Sequence, residues 1–396
     1  MLQLIEKQIN YDFSRCQQCG ACGSVCPRGA ISYEATDNGL KRIELDDEKC
    51  IKCLKCVKVC PAHRVLGDNY FEALPDKKYF FAWNTDDKIR RDSSSGGATK
   101  TIIIDSLKSG LVDGVYSLRK LESYPSAVGE FYTKKNIPSY EDMPNSVYHS
   151  VMVCTEISKV QKVHRLMIVG TSCQLYALEQ ALKGKYDELI KVCIFCKQQK
   201  HLGSTKWLAK VSGSKISNDS TFTAVYRGIG WPGYVRINKK PIAWEHAAGL
   251  PFGRRLWLVP GCEVCGDPFG MEVKADISVM DPWVIRKENC LGETLVTVHS
   301  GMGRKLITET RNLGFEEKSY SVIEPALGLD DIRRKRQCVA YFKGDMVDSV
   351  VAKASIAELK QRKQLEWMLE KLPRLPFICY RLLNKVFPKQ RDKILR

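Results

Sequence analysis

Two apolar periods alternate along the chain, and each change of period predicts a change of element. Ala30 to Glu34 and Leu40 to Leu45 are short β-prone runs joined by Asp37-Asn38-Gly39, which predicts a hairpin. After a polar stretch over residues 64–78, Tyr79 to Trp83 predicts a strand, Ala98 to Ser109 a helix stopping at Gly110, and Val112 to Leu118 a second strand. Val151 to Arg165 reads as a helix leading into the apolar strand Leu166 to Val169, then Gly170 and a helix to Lys183. Leu189 to Phe195 reads as a further buried strand, and from about Phe222 to His299 short strands are interrupted by Gly, Pro and Trp. Lys353 to about Lys371 predicts one long helix, followed by Pro373, Pro376 and an apolar-basic stretch from Phe377 to Phe387. The expected fold class is α+β or mixed α/β: a small module over residues 1–66, a larger mixed α/β domain over 79–340 with one irregular half, and a basic helical C-terminal tail over 341–396.

The 396 residues suffice for two or three domains. No stretch reaches the roughly 18 apolar residues of a membrane span, and Glu6 and Lys7 interrupt the N-terminus where a secretory segment would stay apolar, so a cytoplasmic location is expected. A reducing compartment also suits 17 cysteines, because it keeps thiols available for metal. The formal net charge of +17 raises the question of nucleic acid. The excess is concentrated in Arg333, Arg334, Lys335, Arg336 and the tail, without any RNP, zinc-finger or helix-turn-helix signature, so no nucleic acid is expected as partner.

The cysteines carry the chemistry. Cys16, Cys19, Cys22 and Cys26 before Pro27 repeat 34 residues later as Cys50, Cys53, Cys56 and Cys60 before Pro61, with the spacing C-x2-C-x2-C-x3-C-P. Three thiolates on so tight a loop hold three corners of an iron–sulfur cube while the fourth reaches to the other cube. This predicts two 4Fe–4S clusters, one on Cys16, Cys19, Cys22 and Cys60, the other on Cys50, Cys53, Cys56 and Cys26. Zinc would use two separated pairs to close one tetrahedron, and a disulfide framework is the other rival. The region resembles bacterial-type two-cluster ferredoxins.

Nine cysteines remain, at 154, 173, 193, 196, 262, 265, 290, 338 and 379. Cys262 and Cys265 share a turn after Pro260-Gly261, Cys173 follows a strand and Cys196 ends one, so a third cluster and plain apolar filling are both open. Ser94-Ser95-Gly96-Gly97 before the helix at Ala98 offers backbone N–H groups to a phosphate, or is a plain serine cap.

These segments resemble a known family. Ser94 to Gly97, Gly170-Thr171-Ser172-Cys173-Gln174, Ile194-Phe195-Cys196, Gly261-Cys262-Glu263-Val264-Cys265, and Ala275-Asp276-Ile277-Ser278 with Asp281 and Trp283 look like motifs of the family of coenzyme F420 hydrogenase and dehydrogenase beta subunits. The resemblance implies a third 4Fe–4S cluster on Cys173, Cys196, Cys262 and Cys265 beside an FAD. Implied flavin contacts are Ser94, Ser95, Gly96, Gly97, Tyr148, Arg227, Trp231, Asp276 and Asp281. Two positions depart from the pattern: Ser172 stands where the family has proline, and Val147 where a lysine is frequent. The choice of Cys196 over Cys193 rests on the family match alone.

The combination implies an iron–sulfur flavoprotein oxidoreductase passing electrons from a ferredoxin-like donor or redox partner through the clusters to FAD and a small organic acceptor, in either direction. The alternatives are a non-catalytic electron-transfer subunit of a larger complex and an interaction protein with structural clusters. No catalytic residue is assigned, although His149 and His246 are candidates for proton donation. The basic tail is expected to pack on the second domain or to lie on an anionic membrane or an acidic partner.

Overall fold

The computed structural model describes residues 15–382 except 65, 68, 217–220, 239, 286–290, 344–349, 377 and 381; Cys290 and the tail beyond 382 therefore lie outside the described residues. The expected hairpin is present: β1 (Ile31–Ala35) pairs antiparallel with β2 (Lys41–Leu45), Ile31 opposite Leu45, around Gly39 in left-handed backbone. The two cysteine loops on either side repeat each other in backbone as well as in sequence. Gln18 and Gly20 adopt positive φ, and so do Lys52 and Leu54, their counterparts 34 residues on. Each loop then turns into a four-residue helix, Ala21–Ser24 or Lys55–Lys58.

The larger domain is built on one mixed sheet. Its first strands are β3 (Lys78–Asn84), β4 (Gly114–Lys120), β5 (Ala127–Thr133), β6 (Val163–Gly170) and β7 (Tyr186–Ile194). A separate three-stranded sheet follows, β8 (Ala224–Val225), β9 (Tyr234–Ile237) and β10 (Lys240–Ala243). The chain returns to the large sheet as β11 (Ile277–Met280), β12 (Thr294–Val298) and β13 (Leu313–Lys318), giving the order β13-β3-β12-β11-β7-β6-β4-β5. The central strands β11, β7, β6 and β4 are parallel, and antiparallel arms flank them. Parallel strands buried on both faces read as continuous apolar runs, as Leu166 to Val169 does. Helices Ala98–Ser109 and Gly301–Thr308 enclose one core with Ile102, Val169, Val192 and Leu306. Helix Ser172–Ala181 encloses another, which unites Cys19, Ala21 and Val59 of the N-terminal module with Tyr116, Leu166 and Leu175. The module is thus packed into the larger domain through a shared apolar core.

One expectation changes and another holds. Residues 151–165 form no α-helix: a 3-10 turn over Val153–Lys159 leads directly into β6. The β-branched Val151, Val153, Thr155, Ile157, Val160 and Val163 disfavour a helix, and the turn buries Val153, Cys154 and Ile157 while the Cys154 N–H donates to Cys19 O at 2.9 Å. The long C-terminal helix spans Val350–Lys371 and is part of the core of the small sheet, where Leu365 and Leu369 join Trp207 and Trp257. Among the described residues no helix is long and apolar enough to cross a membrane.

Candidate functional site

Three cavities are each lined by four cysteines. Cys16, Cys19, Cys22 and Cys60 line the first, with Cys60 reaching across from the second loop. Cys26, Cys50, Cys53 and Cys56 line the second, with Cys26 crossing the other way. These are the sets that the repeat predicts. The third is lined by Cys173, Cys196, Cys262 and Cys265, with Gln17, Asp267 and Lys335 among its other walls. Cys173 opens the helix after β6 and Cys196 follows β7, so this cavity sits at the carboxyl ends of neighbouring parallel strands, where open α/β sheets hold ligands. Cys193 is excluded from it: its thiol, within β7, donates to Ile194 O and Pro268 O. Among the described residues no three His, Cys, Asp or Glu groups gather tightly enough for a single metal ion. The thiols surround cavities instead, an arrangement suited to a cube of several atoms.

Hydrogen bonds point at the sulfurs. Gln18 donates its backbone N–H (3.4 Å) and Nε2 (3.3 Å) to Cys16 Sγ, Ala30 N to Cys26 Sγ (3.3 Å), Gln199 N to Cys262 Sγ (3.3 Å) and Arg64 Nη2 to Cys265 Sγ (3.4 Å). Burial pushes the thiols up, to about 11 at Cys16 and about 12 at Cys22, Cys173, Cys196 and Cys262. Thiolates at these depths need a metal's positive charge, so loading a cluster releases protons. Exposure falls along the series. Cys53 is exposed beside Ile51, which is 60% exposed, whereas Cys262 is buried. Gln17 lines both the first and the third cavity and is itself buried.

A second centre lies one strand farther along, at the carboxyl end of β11. Asp281 accepts from Arg227 Nη1 (2.6 Å) and Nη2 (3.1 Å), from Ser95 Oγ (2.6 Å) and from Trp231 Nε1 (2.8 Å). Burial opposes its charge, yet the guanidinium and these hydrogen bonds hold its carboxyl below the usual range. Arg227 lies over the rings of Trp244 (5.1 Å) and Trp283 (5.5 Å), its Nη1 donates to Tyr148 OH at 3.4 Å, and its buried Nε has no hydrogen-bond partner among the described residues. The Ser94–Gly97 turn adjoins them. Ser95, Gly96 and Gly97 have φ of 50°, 74° and 77°, and no side chain caps the helix Ala98–Ser109 that they open. That removes the plain serine-cap reading and leaves the helix's first N–H groups, at its positive end, uncapped by any described side chain. A Cβ at Gly96 would stand 2.6 Å from Gly292 O, so only glycine fits this approach.

Eight of the nine expected flavin contacts therefore belong to one neighbourhood, and Asp276 does not. It precedes β11 at the opposite end of the strand, where its carboxylate accepts from Lys191 N (2.8 Å) and Ser300 Oγ (2.5 Å); its work is to tie β7 to the helix Gly301–Thr308. His149 is also placed structurally. It is buried with Nε2 2.8 Å from Pro125 O and Nδ1 2.7 Å from Tyr226 OH, and burial lowers it to about 4. A neutral ring whose N–H is committed to a carbonyl is no proton donor. His246 is exposed on the short helix Trp244–Ala248. Sequence reasoning missed Arg64 and Asp267, whose only signal was their position shortly after Cys60 and Cys265, and Lys335, read there as one charge in a basic run.

Comparison with known proteins follows the same division. Residues 15–63 match the model of the 4Fe-4S dicluster domain. Residues 79–133 and 163–320 match the N-terminal and C-terminal models of the coenzyme F420 hydrogenase/dehydrogenase beta subunit, together more than half of the chain. A curated relative, one of the subunits of the F(420)H(2) dehydrogenase of Methanosarcina mazei, is 24% identical over 206 residues, which is 50% of this chain and 57% of the relative. The chain thus spans little more than half the length of that relative. A chain in the solved structure of the F420-reducing [NiFe] hydrogenase complex from Methanosarcina barkeri is 17% identical, with a TM-score of 0.45 over 65% of this chain and 88% of that one. With both halves of one family model matched in order behind a dicluster domain, this chain is an iron–sulfur protein belonging to the family of coenzyme F420 hydrogenase/dehydrogenase beta subunits.

Proposed function

We propose that the chain is an iron–sulfur flavoprotein oxidoreductase that connects a ferredoxin-like donor, through three 4Fe–4S clusters, to FAD and a small organic acceptor, with direction set by the potentials. The carrying observation is serial order: an exposed cysteine cavity, an inner one, a third at the ends of β6 and β7, and the Asp281 centre at the end of β11 beside β7. The residues fit these groups. Twelve cysteines would hold the cubes, the uncapped helix end and Ser95-Gly96-Gly97 would meet the FAD phosphates, and Arg227 with its aromatic wall would hold the ring system. Bound there, a flavin supplies the exchange between one-electron and two-electron chemistry that cubes lack.

The chain's own contribution is placement, charge and exclusion of water. Arg28, Lys52 and Lys55 are exposed in the wall of the outermost cavity, a basic rim suited to an acidic electron carrier. Backbone N–H groups aimed at sulfur stabilise the reduced, more negative cubes. Asp281 fixes the Arg227 fork in one orientation, and Trp231, Trp244 and Trp283 wall that pair from solvent.

Anaerobically purified protein tests this reading: about twelve irons per chain and flavin bands above the cluster absorption support it, whereas about eight irons or no flavin sinks it. The relative is itself one part of a dehydrogenase, which favours a second reading, in which the chain hands electrons to another polypeptide. Turnover that appears only when such a partner is added selects it. The tail is the remaining proposed contact, with an anionic membrane, since Trp367, Ile378 and Leu382 are exposed. Unchanged vesicle pelleting after removal of residues 373–396 ends that idea. A reducing cytoplasm is the compartment that the cysteine usage suits.

A further inference from the structure

Arg64 belongs to the N-terminal module, four residues after Cys60, yet its side chain ends in the larger domain. Its Nη2 donates to Cys265 Sγ at 3.4 Å, and Nη1 lies 2.5 Å from Ser172 Oγ and 3.4 Å from Asp267 Oδ2. The side chain is 6% exposed, and Asp267 is fully buried. Asp267 is held in turn by Ser172 Oγ (2.5 Å), Tyr70 OH (2.9 Å) and Met271 N (2.9 Å). Ser172 is the residue that stands where the family has proline; here its hydroxyl links Arg64 to Asp267. A buried ion pair gains little stability over an apolar replacement, so stability alone is a weak account of why a guanidinium reaches this far.

We propose that Arg64 is a positioning residue for electron transfer: its N–H···S bond raises the reduction potential of the cluster on Cys173, Cys196, Cys262 and Cys265, and its side chain joins that cluster to the Cys60 side of the module. This rests on the third-cluster reading given above. The electrostatics set the direction. A cube with four thiolates gains one more negative charge on reduction, and a fixed cation with an N–H on a ligating sulfur favours the reduced form more than the oxidised one. The step moves one electron and no atom: the module's inner cluster is oxidised by one, the third is reduced by one, and no proton is required. The connection is short, one covalent run from Cys60 to Arg64 followed by a single hydrogen bond to Cys265.

The test is an EPR-monitored redox titration of the full chain, with signals assigned by a Cys173→Ala variant. Because Arg64→Met alone leaves Asp267 buried and unpaired, the double variant Arg64→Met/Asp267→Asn is used beside it, and Asp267→Asn alone serves as control. The expected result is at least a tenfold weaker electron affinity of the third cluster in the variants lacking Arg64, about 59 mV for a one-electron couple, with the N-terminal clusters unmoved. Asp267→Asn, which keeps the donor and removes a negative charge, is expected to leave that potential unchanged or higher. About twelve irons with an unmoved potential overturns the role of Arg64 alone, as does loss of the third cluster only in the variants, which would make it a strut. About eight irons in the wild-type chain overturns the underlying reading.

Discussion

Gly96 is the most exacting test of the Ser94–Gly97 turn. Replacing it with alanine puts a side chain on left-handed backbone (φ 74°), which costs about 1–2 kcal/mol. The new Cβ would also lie 2.6 Å from Gly292 O and 2.8 Å from Gly292 C, rigid backbone atoms that cannot rotate away, adding about 1–3 kcal/mol of overpacking. The relief available is for the turn to move off Gly292, which displaces the first N–H groups of the helix Ala98–Ser109. If even about 2 kcal/mol appears in ligand affinity, FAD binds roughly thirtyfold more weakly. Two neighbours grade the effect. Gly97→Ala meets Ser93 side-chain atoms at 3.2 Å and Asn84 Cβ at 3.6 Å rather than backbone and is expected to weaken FAD less, while Gly29→Ala (φ 59°, nothing within 4 Å) carries strain alone, in the N-terminal module, and is expected to leave FAD untouched. The assay is fluorescence titration of FAD into deflavinated protein, with iron measured on the same samples. Wild-type affinity in Gly96→Ala at full iron content would refute the assignment of this turn to the cofactor.

Other expectations follow from the cysteine sets and the charges. Cys60→Ala is expected to remove the cluster of the Cys16, Cys19 and Cys22 loop while that of Cys50, Cys53 and Cys56 survives; EPR showing the reverse loss would contradict the crossed pairing. Lys52→Glu/Lys55→Glu should slow reduction by an acidic one-electron donor several-fold at low salt, with the difference vanishing near 1 M salt, and a salt-independent rate would remove the basic rim from the docking account. His149 is lowered from 6.5 to about 4 because burial disfavours its charge. The unfolded chain therefore binds that proton first, and stability falls as pH drops below about 6.5 towards 4, by about 2 kcal/mol at pH 5. Urea midpoints at pH 7 and pH 5 should converge in His149→Gln by that amount, and an undiminished pH dependence would show that the proton goes elsewhere.

The chain by itself determined whatever depends on spacing along one segment. Two loops of C-x2-C-x2-C-x3-C-P specify two cavities and even the exchange of Cys26 and Cys60, because three ligands three residues apart leave a fourth to cross over. The hairpin, the strands β3, β6 and β7 and the helices after Gly97 and Thr171 were legible for the same local reason. What tertiary structure decided is what distant segments do to one another. Residues 151–165 had apolar positions compatible with a helix, but packing on the N-terminal module and β-branched residues made a 3-10 turn and a strand. Asp276 and Asp281 are five residues apart in sequence, yet an extended strand carries them to opposite ends, so only one reaches Arg227. Which of Cys193 and Cys196 faces the third cavity depends on which residue leaves the strand and which stays inside it. Arg64 reaching Cys265, 201 positions away, left no mark in spacing or composition, since that contact exists only because a shared apolar core presses the module against the sheet.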